Sequence, residues 1–371
     1  MKLKVLIVPD KFKCTLSSQK VAQAIAAGWH QARPGDQLEL LPMCDGGDGF
    51  GEVMATLTGA KRRSALTVNA LHARCLSPWW HDPESNAAII EAAQSIGLAM
   101  LAPDRPHPFQ LDTRGLGLVL ARVARQGVRR CLVGLGGSAT NDGGFGMARA
   151  LGWEFLDRRR KPIQSWTDLS SIVYLRPPPL ARQFEEIIIA TDVKNPLLGP
   201  SGATRIYGLQ KGLSPSDLPI AEGALRQLAR VVGETLGEDF AKRPGAGSAG
   251  GLGFACLAFL GAQAATGFEI FAQYSQLKRR LKSVDLVLTG EGQLDASTLM
   301  GKGVGSLAQL CRQEGIPCLG FAGTIHPPAP KKFRLFSRVF ALTDLTTLDQ
   351  AKSQPAKWLE RLAAEAARWY D

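Results

Sequence analysis

The residues able to do chemistry lie in glycine-rich stretches that follow short apolar runs. The longest is Gly134-Leu135-Gly136-Gly137-Ser138-Ala139-Thr140-Asn141-Asp142-Gly143-Gly144, preceded by Cys131-Leu132-Val133 and followed by Met147, Ala148, Leu151 and Trp153. That order reads as strand, loop and helix. Glycine admits positive φ and lets the backbone come close to a ligand. A helix start behind such a loop turns N–H groups on an anion. Ser138, Thr140 and Asn141 add side-chain donors. Asp142 can hold a cation, take a proton, or cap the helix in a purely structural turn.

Other charged residues stand at the ends of further apolar runs. Lys11 and Lys13 leave Leu3 to Val8, and Asp45 and Asp48 leave Leu38 to Leu41. Asp192 follows Ile187 to Ile189, and Glu291 follows Asp285 to Thr289. Lys211 lies between Gly208 and Gly212, where a lone lysine is usually a surface residue. In open parallel sheets, ligands gather beyond the carboxyl ends of the strands. Phosphoryl transfer needs this inventory: amides and lysines for phosphates, carboxylates for Mg²⁺, and a base for the acceptor hydroxyl. Glu91, in an apolar run, is either paired within the fold or part of a site. The glycine-dense stretch Gly245 to Gly253 is either close helix packing or ligand contact.

The elements that must position these residues alternate between strand and helix at both ends of the chain. Ser17 or Ser18 caps a helix whose Val21, Ile25 and Trp29 share one face. With Leu3–Val8 before it and Leu38–Leu41 after it, this is a β-α-β unit, which favours a parallel sheet. Lys61 to Ala88 alternates as hairpin strands, with Trp79 and Trp80 as packing residues. Pro103 to Pro108 is a loop, and Asp112-Thr113-Arg114-Gly115 opens a helix. Asp157 to Pro179, basic and then proline-rich, reads as a surface excursion. Ser297 or Thr298 caps another helix near Gly301-Lys302-Gly303. Strands follow at Cys318–Ala322 and Val339–Leu342. A tail helix buries Leu359, Leu362, Ala366 and Trp369. The expected architecture is α/β: a Rossmann-like parallel-sheet domain from residues 1–64 and 285–371, with a second α/β domain, 65–284, inserted.

Composition narrows the function. The 371 residues carry a net charge of +11, with pI near 9.5 and mean hydropathy of -0.03. The basic clusters at Lys61–Arg63, Arg158–Lys161, Lys278–Arg280 and Lys331-Lys332 are not interleaved with stacking aromatics, which argues against nucleic-acid binding. Seven cysteines show no zinc-ligand spacing and fit a reducing cytoplasm. Asp10 arrives too early for a signal segment. The uncharged stretch Pro244 to Phe268 reads as a buried turn and helix, with no membrane role. There is no GxxxxGK[ST], no GxGxxG after the first strand and no GxSxG.

Taken in order, Pro9-Asp10-Lys11-Phe12-Lys13, Asp45-Gly46-Gly47-Asp48-Gly49, Gly136 to Gly144, Asn195-Pro196-Leu197, Gln210-Lys211-Gly212, Pro244-Gly245-Ala246-Gly247 and Thr289-Gly290-Glu291-Gly292 resemble the bacterial glycerate kinase family of the two-domain class I type. The resemblance covers nearly the whole chain. It implies ATP- and Mg²⁺-dependent phosphorylation of D-glycerate, with 2-phosphoglycerate favoured over 3-phosphoglycerate. It carries over Lys11, Asp45 and Asp192 as catalytic residues, with Asp192 also on the metal. Gly136, Gly137, Ser138, Asn141, Asp142, Lys211 and Glu291 become cofactor-binding residues. In that reading Asp45 orients or deprotonates the acceptor hydroxyl and Lys11 neutralises charge. A homo-oligomer is compatible with it. The sequence departs from the family at Cys14, Cys44, Asp48 and Phe50, and in the threonine-poor run Leu111 to Gly115. The alternatives are a kinase for another small hydroxy acid, a catalytically silent sensor of hydroxy acids, and an oxidoreductase.

Overall fold

In the computed structural model, residues 2–13, 15–101, 106–179, 183–296, 298, 303–326 and 334–370 are described. Cys14, residues 103–105 of the expected loop, Ser297, Gly301, Lys302, Lys331 and Lys332 lie outside the described residues. The chain begins with β1 (Lys4–Ile7), α1 (Ser18–Ala32), β2 (Gln37–Leu40), α2 (Phe50–Thr58), β3 (Lys61–Val68), β4 (Arg74–Asp82), β5 (Ala87–Glu91) and α3 (Ala93–Ile96). It continues through α4 (Arg114–Arg125), β6 (Arg130–Gly134), α5 (Phe145–Ala150), β7 (Glu154–Leu156), β8 (Tyr174–Arg176), β9 (Glu186–Ala190), α6 (Ala203–Lys211), α7 (Leu218–Leu236) and α8 (Ser248–Leu260). The last part holds β10 (Gln263–Ala265), α9 (Gly267–Tyr274), α10 (Leu277–Leu281), β11 (Leu286–Leu294), α11 (Gly303–Gln313), β12 (Cys318–Ile325), β13 (Arg338–Ala341), α12 (Leu348–Ser353) and α13 (Pro355–Trp369).

One compact unit joins Met1–Asp45 to Phe268–Asp371. Its sheet runs β2-β1-β11-β12-β13, with every pairing parallel. This is the doubly wound order whose direction reverses between β1 and β11. Val5, Leu6 and Ile7 are all buried, as expected of a strand covered on both faces. Ser17 caps α1 by accepting from the Lys20 amide. Val21, Ile25 and Trp29 form a buried stripe, joined in one core by Leu359, Leu362 and Ala366 of α13. Trp369 is instead 47% exposed, with the Arg338 guanidinium 4.5 Å from its ring. β11 also runs further than the expected strand, because pairing with β12 continues through Gln293↔Thr324 to Leu294↔Ile325.

The other unit is Gly46–Gly267. Its sheet runs β10-β9-β6-β5-β4-β3, parallel from β10 to β5 and antiparallel beyond. The compact units meet at 45/46 and 267/268, whereas the alternation of strand and helix in the sequence placed the cuts at 64/65 and 284/285. β3 pairs along its whole length with β4, which draws residues before 65 into this unit. Trp79 and Trp80 are buried. The stretch 157–179 is no simple surface excursion: Ile163, Trp166, Leu169, Ile172 and Leu175 are buried. A 3₁₀ turn at Trp166–Ser171, at three residues per turn, brings Trp166 and Leu169 to one side. Among the described residues no helix is long and apolar enough to cross a membrane. The six described cysteines are free.

The contact between α1 and α13 is tight at Gly28, where an added Cβ would lie 1.9 Å from the Glu360 carbonyl oxygen. Gly28→Ala should therefore lower the unfolding free energy by about 1–3 kcal/mol. Urea denaturation measures it, and an unchanged midpoint would contradict the contact.

Candidate active site

In the unit built from both chain ends, the charged groups collect where the sheet order reverses. After β1, the Asp10 amide donates to the Gly290 carbonyl on β11 (2.8 Å), and after β2 the Met43 amide donates to Pro9 (2.9 Å). These bonds fix the strand-end loops beside each other. Lys11 Nζ then reaches Asp45 Oδ1 at 3.0 Å, with the side chains 19% and 33% exposed. Asp10 accepts from the Lys11 amide at 2.7 Å. Burial, and then the Asp45 carboxylate, push the Asp10 carboxyl up to about 8 against the pull of Lys11. That shift favours the protonated form of Asp10, while Lys11 pairs with Asp45. Glu291 also raises Asp10 and accepts from the Thr298 hydroxyl at 2.6 Å.

In the other unit, three parallel strands end level. Glu91 is in register with Gly134, and Gly134 with Ala190. The long glycine loop starts at Gly134, and Asp192 follows two residues after Ala190. Asp192 Oδ1 accepts from the Gly267 amide at 3.0 Å. The Gly136 amide donates to the Gly46 carbonyl at 3.0 Å. A Cβ on Gly136 would sit 2.5 Å from the Gly47 Cα, so this position supplies close approach. Asp48 lies against Gly137, where an added Cβ would be 2.5 Å from its Oδ1.

Asp142 is fully buried. Its Oδ2 accepts from the Thr113 amide (2.9 Å), the Thr113 hydroxyl (2.7 Å) and the Gly146 amide (2.9 Å), and its Oδ1 from the Gly144 amide (3.1 Å). The Thr113 hydroxyl in turn accepts from Met147 at 2.8 Å. The helix start that the sequence offered to an anion is thus taken by the protein's own carboxylate. Burial, helped by Asp112, raises Asp142 to about 6 despite these donors. Glu91 resolves the same way. Its carboxylate accepts from the Gly49 and Gly51 amides and from Gln94, serving the start of α2 from a neighbouring strand.

Lys211 is buried, contrary to the usual fate of a lysine flanked by glycines. It closes α6 and donates to the Ser138 hydroxyl at 3.1 Å and the Thr140 carbonyl at 2.6 Å. Burial lowers it to about 7, partly offset by Asp142. Asn141 Nδ2 donates to Thr204 Oγ1 at 3.1 Å. The second glycine loop backs the first: the Gly143 amide donates to Gly250 at 3.0 Å. Gly250, at φ +71°, has no room for a Cβ, which would lie 2.0 Å from the Thr140 carbonyl oxygen. That favours close packing for Gly245–Gly253.

One unit therefore gathers Lys11, Asp45 and Glu291. The other gathers Gly136, Gly137, Ser138, Asn141, Asp142 and Lys211, with Asp192 on the adjacent strand end. Sequence reasoning passed over Asp10, Thr113 and Thr204 as site residues. Asp10 had a signal, being the first charged residue beyond β1. Thr113 and Thr204 had none, since their partners are remote in the chain. Among the described residues no group of three or more His, Cys, Asp or Glu is arranged to hold a metal ion. Mg²⁺ commonly takes only one or two carboxylates and completes its shell from phosphate and water, so the donor chemistry of Asp192 fits it.

Asp142 makes stability pH-dependent. Its carboxyl is raised from 3.8 to about 6 in the folded chain. The folded state then binds more protons between those values, and stability falls as pH rises through them. Thr113→Val removes one donor and should cost about 1–3 kcal/mol, more at pH 8 than at pH 5, because the carboxylate form is the one that loses support. Equal losses at both pH values, read by denaturant melts, would contradict the assignment.

Residues 5–371 match the model of the glycerate kinase family. The chain is 32% identical to a glycerate kinase of Halalkalibacterium halodurans, over 98% of this chain and 97% of that one. It is 34% identical to a glycerate 2-kinase of Escherichia coli, over 94% and 93%. A crystal structure from Salmonella typhimurium LT2 that carries a provisional glycerate kinase 2 name superposes with a TM-score of 0.83 at 31% identity, covering 100% of this chain and 98% of that one. With a buried glycine loop, charged strand ends and this near-complete match, the chain belongs to the glycerate kinase family.

Proposed function

We propose that this chain transfers the γ-phosphoryl group of ATP to the 2-hydroxyl of D-glycerate, giving 2-phosphoglycerate and ADP. Family membership supports the activity, and the similarity to the glycerate 2-kinase of Escherichia coli supports the position. The observation that carries the chemistry is the Lys11–Asp45 pair at the strand ends where the sheet order reverses.

Asp45 takes the proton of the attacking hydroxyl, leaving an oxygen nucleophile for the γ-phosphorus. Lys11 keeps Asp45 ionised and balances the charge that builds on the carboxylate or the moving phosphoryl group. Asp10, protonated beside them, adds no further negative charge to repel the anionic substrates. Gly136, Gly137 and Ser138 line the nucleotide's phosphates, and Asn141, fully buried against Thr204, acts through the loop it holds. Asp142 and Lys211 act through the loop they hold, and Glu291 belongs to the nucleotide set. Asp192 would hold Mg²⁺, which would supply neutralisation of phosphate charge.

Asp45→Asn should lower kcat by about 10²-fold or more while KM for ATP changes little, because a base acts mainly in the transition state. A coupled ADP-release assay gives both constants, and a wild-type turnover would remove Asp45 from the role. Phosphorus NMR of the product from glycerate and ATP should show 2-phosphoglycerate. A 3-phosphoglycerate signal would overturn the position. A panel of other hydroxy acids turning over faster than glycerate would overturn the acceptor.

A further inference from the structure

The long glycine loop is held along two routes, and both lead back to α6. The first is direct: Lys211 bonds to Ser138 and Thr140. The second starts one helical turn earlier, at the half-buried Tyr207. Its hydroxyl donates to Asn195 Oδ1 at 2.8 Å, while Asn195 Nδ2 donates to the Ser201 carbonyl at 2.7 Å. A carbonyl only accepts, so the Ser201 bond fixes which end of the carboxamide faces Tyr207. The backbone carbonyl of Asn195 then accepts from the Gly247 amide at 2.8 Å, where the second glycine stretch begins to turn into α8. That turn is packed between two loops. A Cβ on Gly247 would lie 2.2 Å from the Pro196 carbonyl oxygen, and one on Gly251 would lie 2.8 Å from the Gly143 Cα. The Gly250 carbonyl accepts from the Gly143 amide and closes the circuit on the first loop.

We propose that Tyr207 is a positioning residue for nucleotide binding: through Asn195 and the second glycine turn it braces the Gly136–Gly144 loop on the side that Lys211 does not reach. This rests on the reading of that loop as the seat of the ATP phosphates. Tyr207 needs no contact with the ligand. Loop amides bind phosphate well when they are already aimed at one place, and a loosened brace adds an ordering cost to binding. The cost falls on the nucleotide. The Lys11–Asp45 pair, read as the seat of the acceptor, belongs to the other unit.

The test uses Tyr207→Phe, which deletes one oxygen and keeps the ring, with Asn195→Ala and the double variant beside it. Calorimetric titration with ADP reads binding without turnover, and steady-state kinetics reads KM for ATP and for glycerate separately. Tyr207→Phe should raise both the Kd for ADP and the KM for ATP about fivefold, the scale of one hydrogen bond, and leave KM for glycerate unchanged. Asn195→Ala should do at least as much, and the double variant should add nothing to it, because the two residues act through one bond. Three results would overturn the proposal: a lowered melting temperature with nucleotide affinity intact, a rise in both KM values together, or additive effects of the two substitutions. If the wild type binds neither ADP nor ATP, the reading of the loop as a phosphate seat fails first.

Discussion

A carboxylate with no solvent exposure is tolerable only when its oxygens are fully hydrogen-bonded, and in the inserted unit everything near the long glycine loop follows from how Asp142 meets that condition. Its four donors come from Thr113, which stands before α4, and from Gly144 and Gly146 at the start of α5. One side chain thus ties two helices to the loop leaving the central strand β6. The loop cannot shift without breaking bonds that have no water to replace them. Lys211 and Gly250 hold it from two further directions, one by charge and one by backbone contact. A loop held by this many internal bonds is built without help from a ligand, which lowers the ordering cost of binding.

The reversal of strand order in the other unit works by different means. Parallel strands buried on both faces leave their carboxyl ends as the places where polar groups can gather. Lys11 and Asp45 meet there because β1 and β2 are neighbours in register. Desolvation and the Asp45 carboxylate raise the Asp10 carboxyl, which favours its neutral form. The local balance then suits anionic substrates better than three ionised acids would.

Much of this was legible in the residues. The stripe Val21, Ile25, Trp29 and the Ser17 cap gave α1, and the β-α-β order gave parallel pairing. Strand ends located Lys11, Asp45 and Asp192 without any fold in hand. What stayed hidden depends on contacts between distant segments. The burial of Lys211 cannot be read from its glycine neighbours, because it follows from the Ser138 and Thr140 partners more than seventy positions away. Glu91 looked ambiguous since its donors, Gly49 and Gly51, lie in another element. The buried side of residues 157–179 was masked by arginine and proline, although its three-residue spacing was present. β11 looked finished at its first glycine, yet a paired neighbour carried it on.

The parallel sheet formed from both chain ends has a consequence for biosynthesis. β1 is bounded by β2 on one side and β11 on the other, and Lys4 bonds to Asp285 across 281 positions. A ribosome makes the first two strands early and their partner late. The emerging polypeptide must therefore carry an unfinished apolar edge through most of translation, until β11 is made. Such a delay exposes aggregation-prone surface, and the long sequence separation slows closure. Chaperone demand should thus fall on the beginning of the chain, long after it has left the exit tunnel.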